Sequence, residues 1–200
     1  MRSVQILGTA PNLRDTPPLL PNEERWACNS PLTYVRRWAR GTNDLNPMLS
    51  YTRWFNLHSR EHMLRTYPDW YKWYQGETKR IVMQVVREDI PHSERFPIER
   101  VLSYAGHRYF TFTGALQMAL AKLEGFERVV LAGFQLNKDN RYKYDFERPC
   151  FFYWVDRLRS EGVEVVLPQD LVVTPAGSPD NYTGPLYGYE TTEPHYIVGQ

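Results

Sequence analysis

Short runs of β-branched and aromatic residues alternate along this chain with stretches in which apolar residues recur every three or four positions. Six runs read as strands: residues 4–7 (VQIL), 25–28 (RWAC), 54–57 (WFNL), 81–85 (IVMQV), 129–132 (VVLA) and 163–167 (VEVVL). Apolar runs of this length, closed off by Gly, Pro or Asn, fit strands buried on both faces of a parallel sheet. Helical spacing covers residues 32–40, 59–67, 97–104, 113–124 and 149–161. Ser59 has the N-cap residue type for its helix, and Pro68 opens a further turn behind it. In 113–124, Thr113 fits the cap, Leu116, Ala119, Leu120 and Leu123 share a face, and Gly125 suits the position after the end. Pro149 fits the first turn of the last helix and Gly162 follows it.

Strand and helix patterns taken in turn predict an α/β fold, a Rossmann-like doubly wound, mostly parallel sheet with helices on both faces. One domain over residues 1–173 accounts for this pattern. From Thr174 the composition turns to Gly, Pro, Thr and Tyr, which reads as an extended C-terminal tail over 174–200. No internal repeat interrupts the chain.

Composition narrows the function classes. A net charge of +1 gives no support to a DNA partner or an anionic-membrane surface. No apolar run approaches the roughly 20 residues of a membrane helix, and no basic-then-apolar leader precedes the first strand. The expected location is therefore the cytoplasm. Cys28 and Cys150 lack CxxC or zinc-type spacing and read as reduced, structural thiols, with no metal site. Aromatic residues reach 14% of the chain, which suits a shaped cleft or a subunit contact, and a homo-oligomer stays open.

In open α/β sheets, ligands bind beyond the carboxyl ends of the strands. That rule selects Gly8, Thr9, Ala10, Pro11 and Asn12 after the first strand, Asn29 after the second, His58 after the third and Gln135 after the fifth. A glycine at position 8 lets backbone approach a phosphate, and loop N–H groups there can hold anionic oxygens. On this reading Gly8→Val weakens ligand binding far more than it unfolds the protein. The loop has neither GxGxxG spacing nor a P-loop lysine. Thr113 and Gly114 open a helix whose N-terminus favours anions.

His58 fits a general base, since histidine titrates near pH 6.5. His62 lies one helical turn further on, but two histidines without a third ligand are a poor metal site. The aromatic stretch 67–74 (YPDWYKWY) can stack on a sugar or base, or simply pack. After strand five, Asp145 and Glu147 are acids able to deprotonate a hydroxyl, and Arg148 can pair with phosphate. A solvated loop is the plain alternative for these three.

The first of these segments, VQILGTAPNL over 4–13, resembles the strand and loop that open bacterial sialyltransferases using CMP-sialic acid, related domains, and the archaeal pterin pyrophosphokinases. Cys28-Asn29 resembles the Asn of that superfamily that contacts the nucleotide, and residues 109–136 resemble its TSG-type segment, with Thr113-Gly114 on the Ser-Gly that touches the donor. The stretches RWFNLH (53–58) and ERPC (147–150) also resemble small proteins of tailed phages. Two positions depart from the sialyltransferases: Gln135 replaces their Asp, and no histidine lies between His107 and His195, where they carry their base. The resemblance thus implies nucleotide or nucleotide-sugar binding more than sialyl transfer itself. The expected function is a nucleotide-dependent transferase, a glycosyltransferase with a nucleotide-sugar donor. Gly8–Asn12, Thr113 and Gly114 would hold phosphates, Asn29 would read the nucleoside, and His58, Asp145 or Glu147 would act as base. For a phage-like protein the acceptor could be a modified DNA base. The alternatives are a pyrophosphokinase-like transferase, which alone would call for Mg²⁺, and a non-catalytic nucleotide-sequestering protein.

Overall fold

The computed structural model describes residues 1–10, 12–13, 16–31, 51–134, 136, 141–168 and 171. The strands are β1 (Ser3–Leu7), β2 (Glu24–Cys28), β3 (Arg53–Asn56), β4 (Arg80–Met83), β5 (Ser93–Arg95), β6 (Arg128–Ala132) and β7 (Glu164–Val166). The helices are α1 (Arg60–Thr66), α2 (Pro68–Gly76), α3 (Ile98–Ala105), α4 (Thr113–Leu123) and α5 (Arg141–Ser160). The strands form one sheet in the order β5-β4-β3-β2-β1-β6-β7, and every pairing is parallel. This is the α/β Rossmann-like fold expected. The chain steps outward from β1 to β5 on one side, then returns to place β6 and β7 on the other. β1 and β6 are thus the neighbours at which the strand order reverses, and such a switch point is where open sheets of this kind bind ligands.

Side-chain alternation explains the layers. Val4, Ile6, Trp26, Phe55, Val82, Val129 and Leu131 point to one face and pack with α3, α4 and α5. Leu7, Ala27, Trp54, Ile81, Met83 and Ala132 point to the other and pack with Met63 of α1 and Tyr71 and Tyr74 of α2. Cys28 and Cys150 are buried free thiols. Among the described residues no helix is long and apolar enough to cross a membrane.

Six strands lie where the apolar runs put them, to within one residue at most ends. β4 stops at Met83, and Val85 and Val86 beyond it are exposed. β5, Ser-Glu-Arg, carries no apolar run and was not foreseen. Ser59 caps α1, accepting from the His62 N–H at 3.2 Å, and Pro68 starts α2. Phe112, not Thr113, holds the N-cap position of α4, without a side-chain bond. α4 is also buried beyond the expected stripe: Gly114, Ala115, Gln117, Met118 and Ala121 are covered because the helix packs on the sheet with α3 and α5 flanking it. It closes as expected at Gly125 (φ 78), where Gly125 N–H bonds Lys122 O at 3.0 Å and Phe126 N–H bonds Ala121 O at 3.0 Å. α5 starts earlier than its proline suggested, so Pro149 lies inside the helix. The expected helix at 32–40 and the tail at 174–200 fall outside the described residues.

α3 and α5 are locked by charge. Arg157 of α5 donates to Ala105 O at 2.8 Å and Tyr104 O at 3.0 Å, satisfying the last carbonyls of α3, and to Glu161 Oε1 at 3.0 Å. The Tyr104 hydroxyl donates to Glu161 Oε2 at 2.6 Å. Burial alone would raise the Glu161 pKa, but Tyr104, Arg157 and Lys122 together hold it below the usual carboxylate range. Because the folded value is depressed, this stabilisation is present above the unfolded glutamate pKa of about 4.3 and is lost as pH falls through the folded value. Melting curves of wild type and Glu161→Gln should therefore separate at neutral pH and converge on acidification. Parallel curves from pH 7 to 3 would show that Glu161 contributes no such linkage.

Candidate functional site

The loop leaving β1 is tied to the loop leaving β6 along its length. Gly8 N–H donates to Ala132 O at 2.7 Å, Ala10 N–H to Gly133 O at 2.8 Å, and Asn12 Nδ2 to Phe134 O at 3.1 Å. Two expectations change. The N–H groups of Gly8 and Ala10 are spent on the last residue of β6 and the glycine after it, and cannot cradle an anion in this arrangement. Gly8 is also glycine for a different reason: a Cβ there would lie 2.3 Å from the Gly133 carbonyl oxygen. Backbone, not ligand, occupies the space the missing side chain leaves. Thr9 is half-buried and Asn12 buried, while Pro11 and Gln135 fall outside the described residues.

At the next strand end, two predicted residues meet. Asn29 sits just past β2 in the left-handed conformation (φ 58), tolerable for asparagine. Its Oδ1 accepts from the Thr113 hydroxyl of α4 at 3.4 Å. Freed from the capping position, Thr113 turns its hydroxyl to the β2 exit instead. Gly114 admits aromatic packing: a Cβ there would lie 2.5 Å from the Phe112 ring and 3.0 Å from that of Phe134.

His58 lies two residues beyond β3, half-buried, on the α1 side of the sheet. Its ring centroid is 5.0 Å from that of His62 and 6.4 Å from that of Tyr67. Among the described residues no group of three or more His, Cys, Asp or Glu is placed to hold a metal ion. The aromatic stretch packs rather than forming an open platform. Tyr71 and Tyr74 are buried, Trp73 lies 4.9 Å from Trp54, and Tyr67 and Trp70 stack on each other at 3.8 Å.

Asn56 and Tyr74, which the sequence offers only as parts of a strand and of the aromatic stretch, join the β2 and β3 exits. Asn56, fully buried, accepts from the His58 N–H at 3.1 Å and donates Nδ2 to the Tyr74 hydroxyl at 2.7 Å. That hydroxyl donates to Asn29 O at 2.5 Å, which also accepts from Trp54 Nε1 at 3.0 Å. Burial raises the Tyr74 pKa, so the phenol stays protonated and keeps donating. The chain from the His58 backbone through Asn56 and Tyr74 fixes His58 relative to Asn29. A polar Asn at the end of a buried strand was the signal available, since such an amide demands partners.

The third candidate group lies on a helix, not on a loop. Asp145, Glu147 and Arg148 all belong to α5. Glu147 and Arg148 are half-buried, and Arg148 Nη2 donates to Leu136 O at 2.6 Å. Leu136 has φ 45, unusual for a residue with a side chain, so Arg148 braces a strained turn at the β6 exit.

No family model and no curated protein matches the sequence. Among solved structures, the chain is similar to the sialyltransferase CstII from Campylobacter jejuni in complex with cytidine-5'-monophosphate. The identity is 14% and the TM-score 0.49, over 84% of this chain and 80% of that one. A structure of the same sialyltransferase with a trisaccharide acceptor and CMP gives 15% identity and a TM-score of 0.49, over 91% of this chain and 85% of that one. Both are likenesses of fold.

Proposed function

We propose that this protein is a nucleotide-dependent transferase, a glycosyltransferase that takes a nucleotide-sugar donor. One observation carries the reading: Asn29 of the β2 exit and Thr113 at the start of α4 meet at 3.4 Å beside the switch point between β1 and β6. Neutral polar groups beside a helix N-terminus suit a ligand that is part anionic and part hydrogen-bonding. The nucleotide would lie on the α4 side, its phosphates toward Thr113 and Gly114 and its nucleoside toward Asn29. Gly8, Ala10 and Asn12 would act by shaping the crevice wall. His58 faces the α1 side of the same edge, from which an acceptor hydroxyl would approach. The glycosyltransferase part of the reading rests on the resemblance of residues 4–13 and 109–136 set out above.

A melting-temperature panel tests it, with nucleoside mono- and diphosphates and nucleotide-sugars, CMP-sialic acid among them, each with and without Mg²⁺. At about 100 times the dissociation constant a ligand adds roughly 2.7 kcal/mol. For a domain this size that is about 5–11 °C. No shift from any compound at millimolar concentration would sink the reading. A shift that appears only with Mg²⁺ would favour pyrophosphoryl transfer.

A further inference from the structure

Beneath the Asn29–Thr113 contact lies a polar group that the described residues leave unanswered. Gln117, in the second turn of α4, is fully buried. Its Nε2 donates to Ala27 O near the end of β2, at a long 3.4 Å, and among the described residues no donor reaches its Oε1. The rest of that helix surface is apolar or small: Gly114, Ala115, Met118 and Ala121. A methionine would fill the same volume without an orphaned acceptor, and a buried unmatched acceptor costs stability.

Geometry says where the amide sits. Thr113 and Gln117 are four residues apart, hence on one face of the helix, and helical side chains lean toward the N-terminus. The Gln117 amide therefore lies against β2 one turn below the Thr113 hydroxyl. The Asn29–Thr113 bond above it is at the outer limit of hydrogen-bond length and is readily displaced.

We propose that Gln117 determines ligand specificity. Its Oε1 accepts a hydrogen bond from a neutral donor, a hydroxyl or an amino group, on a nucleoside that enters between Asn29 and Thr113. The proposal rests on the nucleotide reading above. Its chemistry is that of a site built around one buried acceptor: an analogue lacking the donor leaves that acceptor unpaired and is rejected.

The test is a cycle between protein and ligand. Affinities of wild type and Gln117→Met are measured by calorimetry for the 5′-monophosphates of adenosine, guanosine, cytidine and uridine, and for their 2′-deoxy forms. Comparing ribo with deoxy reads a hydroxyl donor, and comparing cytidine with uridine reads an amino donor. Wild type should prefer the donor-bearing member of one such pair by about 5- to 150-fold. Gln117→Met should bind both members alike, and without ligand should melt no lower than wild type. A preference retained in Gln117→Met overturns the proposal and leaves the nucleotide reading standing, as a water trapped on Oε1 would predict. A wild type that prefers neither member of any pair also overturns it. A wild type that binds no nucleotide overturns both. Should Gln117→Met fail to fold, the side-chain amide resonances of Gln117 in labelled wild type decide. They should shift with the donor-bearing nucleotide and less with its partner, and unmoved resonances overturn the proposal.

Discussion

Gly8→Val is expected to yield protein that is largely unfolded or melts far below wild type. The valine Cβ would lie 2.3 Å from Gly133 O, 2.9 Å from Gly133 C and 3.1 Å from the Phe134 ring. The first two neighbours are backbone, which cannot rotate away. The reverse contact is as close, since a Cβ on Gly133 would lie 2.7 Å from Gly8 O, at a φ of 72 that itself disfavours a side chain. Relief requires the β1 and β6 exits to separate, which breaks the Gly8–Ala132 and Ala10–Gly133 hydrogen bonds. Overpacking costs about 1–3 kcal/mol and each bond about 0.5–1.5 kcal/mol. Even Gly8→Ala should then lose about 3 kcal/mol, or roughly 6–12 °C in melting temperature. Denaturant unfolding of both variants checks this. A Gly8→Ala protein with wild-type stability would show that the two loops are not held against each other as described.

That expectation inverts the one drawn from the sequence, and the reason is instructive. A glycine after a strand announces that something approaches the backbone closely. It does not announce what. Gly133, whose role mirrors that of Gly8, is 125 positions away, and only the parallel pairing of β1 with β6 brings the two together. The strands were legible because each is a compact apolar run. β5 was not, because Ser93–Arg95 is an edge strand with no buried side chain. The α5 boundary is not readable locally: a proline is tolerated in the first turn of a helix, whereas this helix runs from Arg141 and carries Pro149 in its interior. At the candidate site, the rule of strand ends singles out Asn29 and His58, and the helix start adds Thr113. The rule could not find Tyr74, whose hydroxyl reaches the β2 exit from a helix that reads only as aromatic. Nor could it find Gln117, which looks like any surface glutamine until the fold buries it.

His58→Ala is expected to cut turnover by about 10²–10⁴-fold while nucleotide affinity stays within a few fold. The expectation rests on the proposed function and on position. The His58 backbone is held by its own N–H to Asn56 Oδ1, and through Tyr74 to Asn29, at the edge where the nucleotide would lie. A base there would take the acceptor proton as that oxygen bonds to the sugar's anomeric carbon and the nucleotide departs with the bonding pair as its phosphate. The acceptor need not be known to test this, because water can stand in its place and release the nucleotide from the donor that the melting panel identifies. The rate of release should fall on the acid side as the base becomes protonated, and His58→Ala should lose that limb of the pH profile along with the rate. A packing role predicts something else. The ring lies beside His62 and Tyr67, so a structural His58 would show as a lower melting temperature with turnover per folded molecule intact. Measuring both on one preparation separates the two accounts. Normal turnover in His58→Ala would move the search for a base to Glu147 and Asp145 on α5. Normal turnover in those variants as well would exclude direct base catalysis by all three.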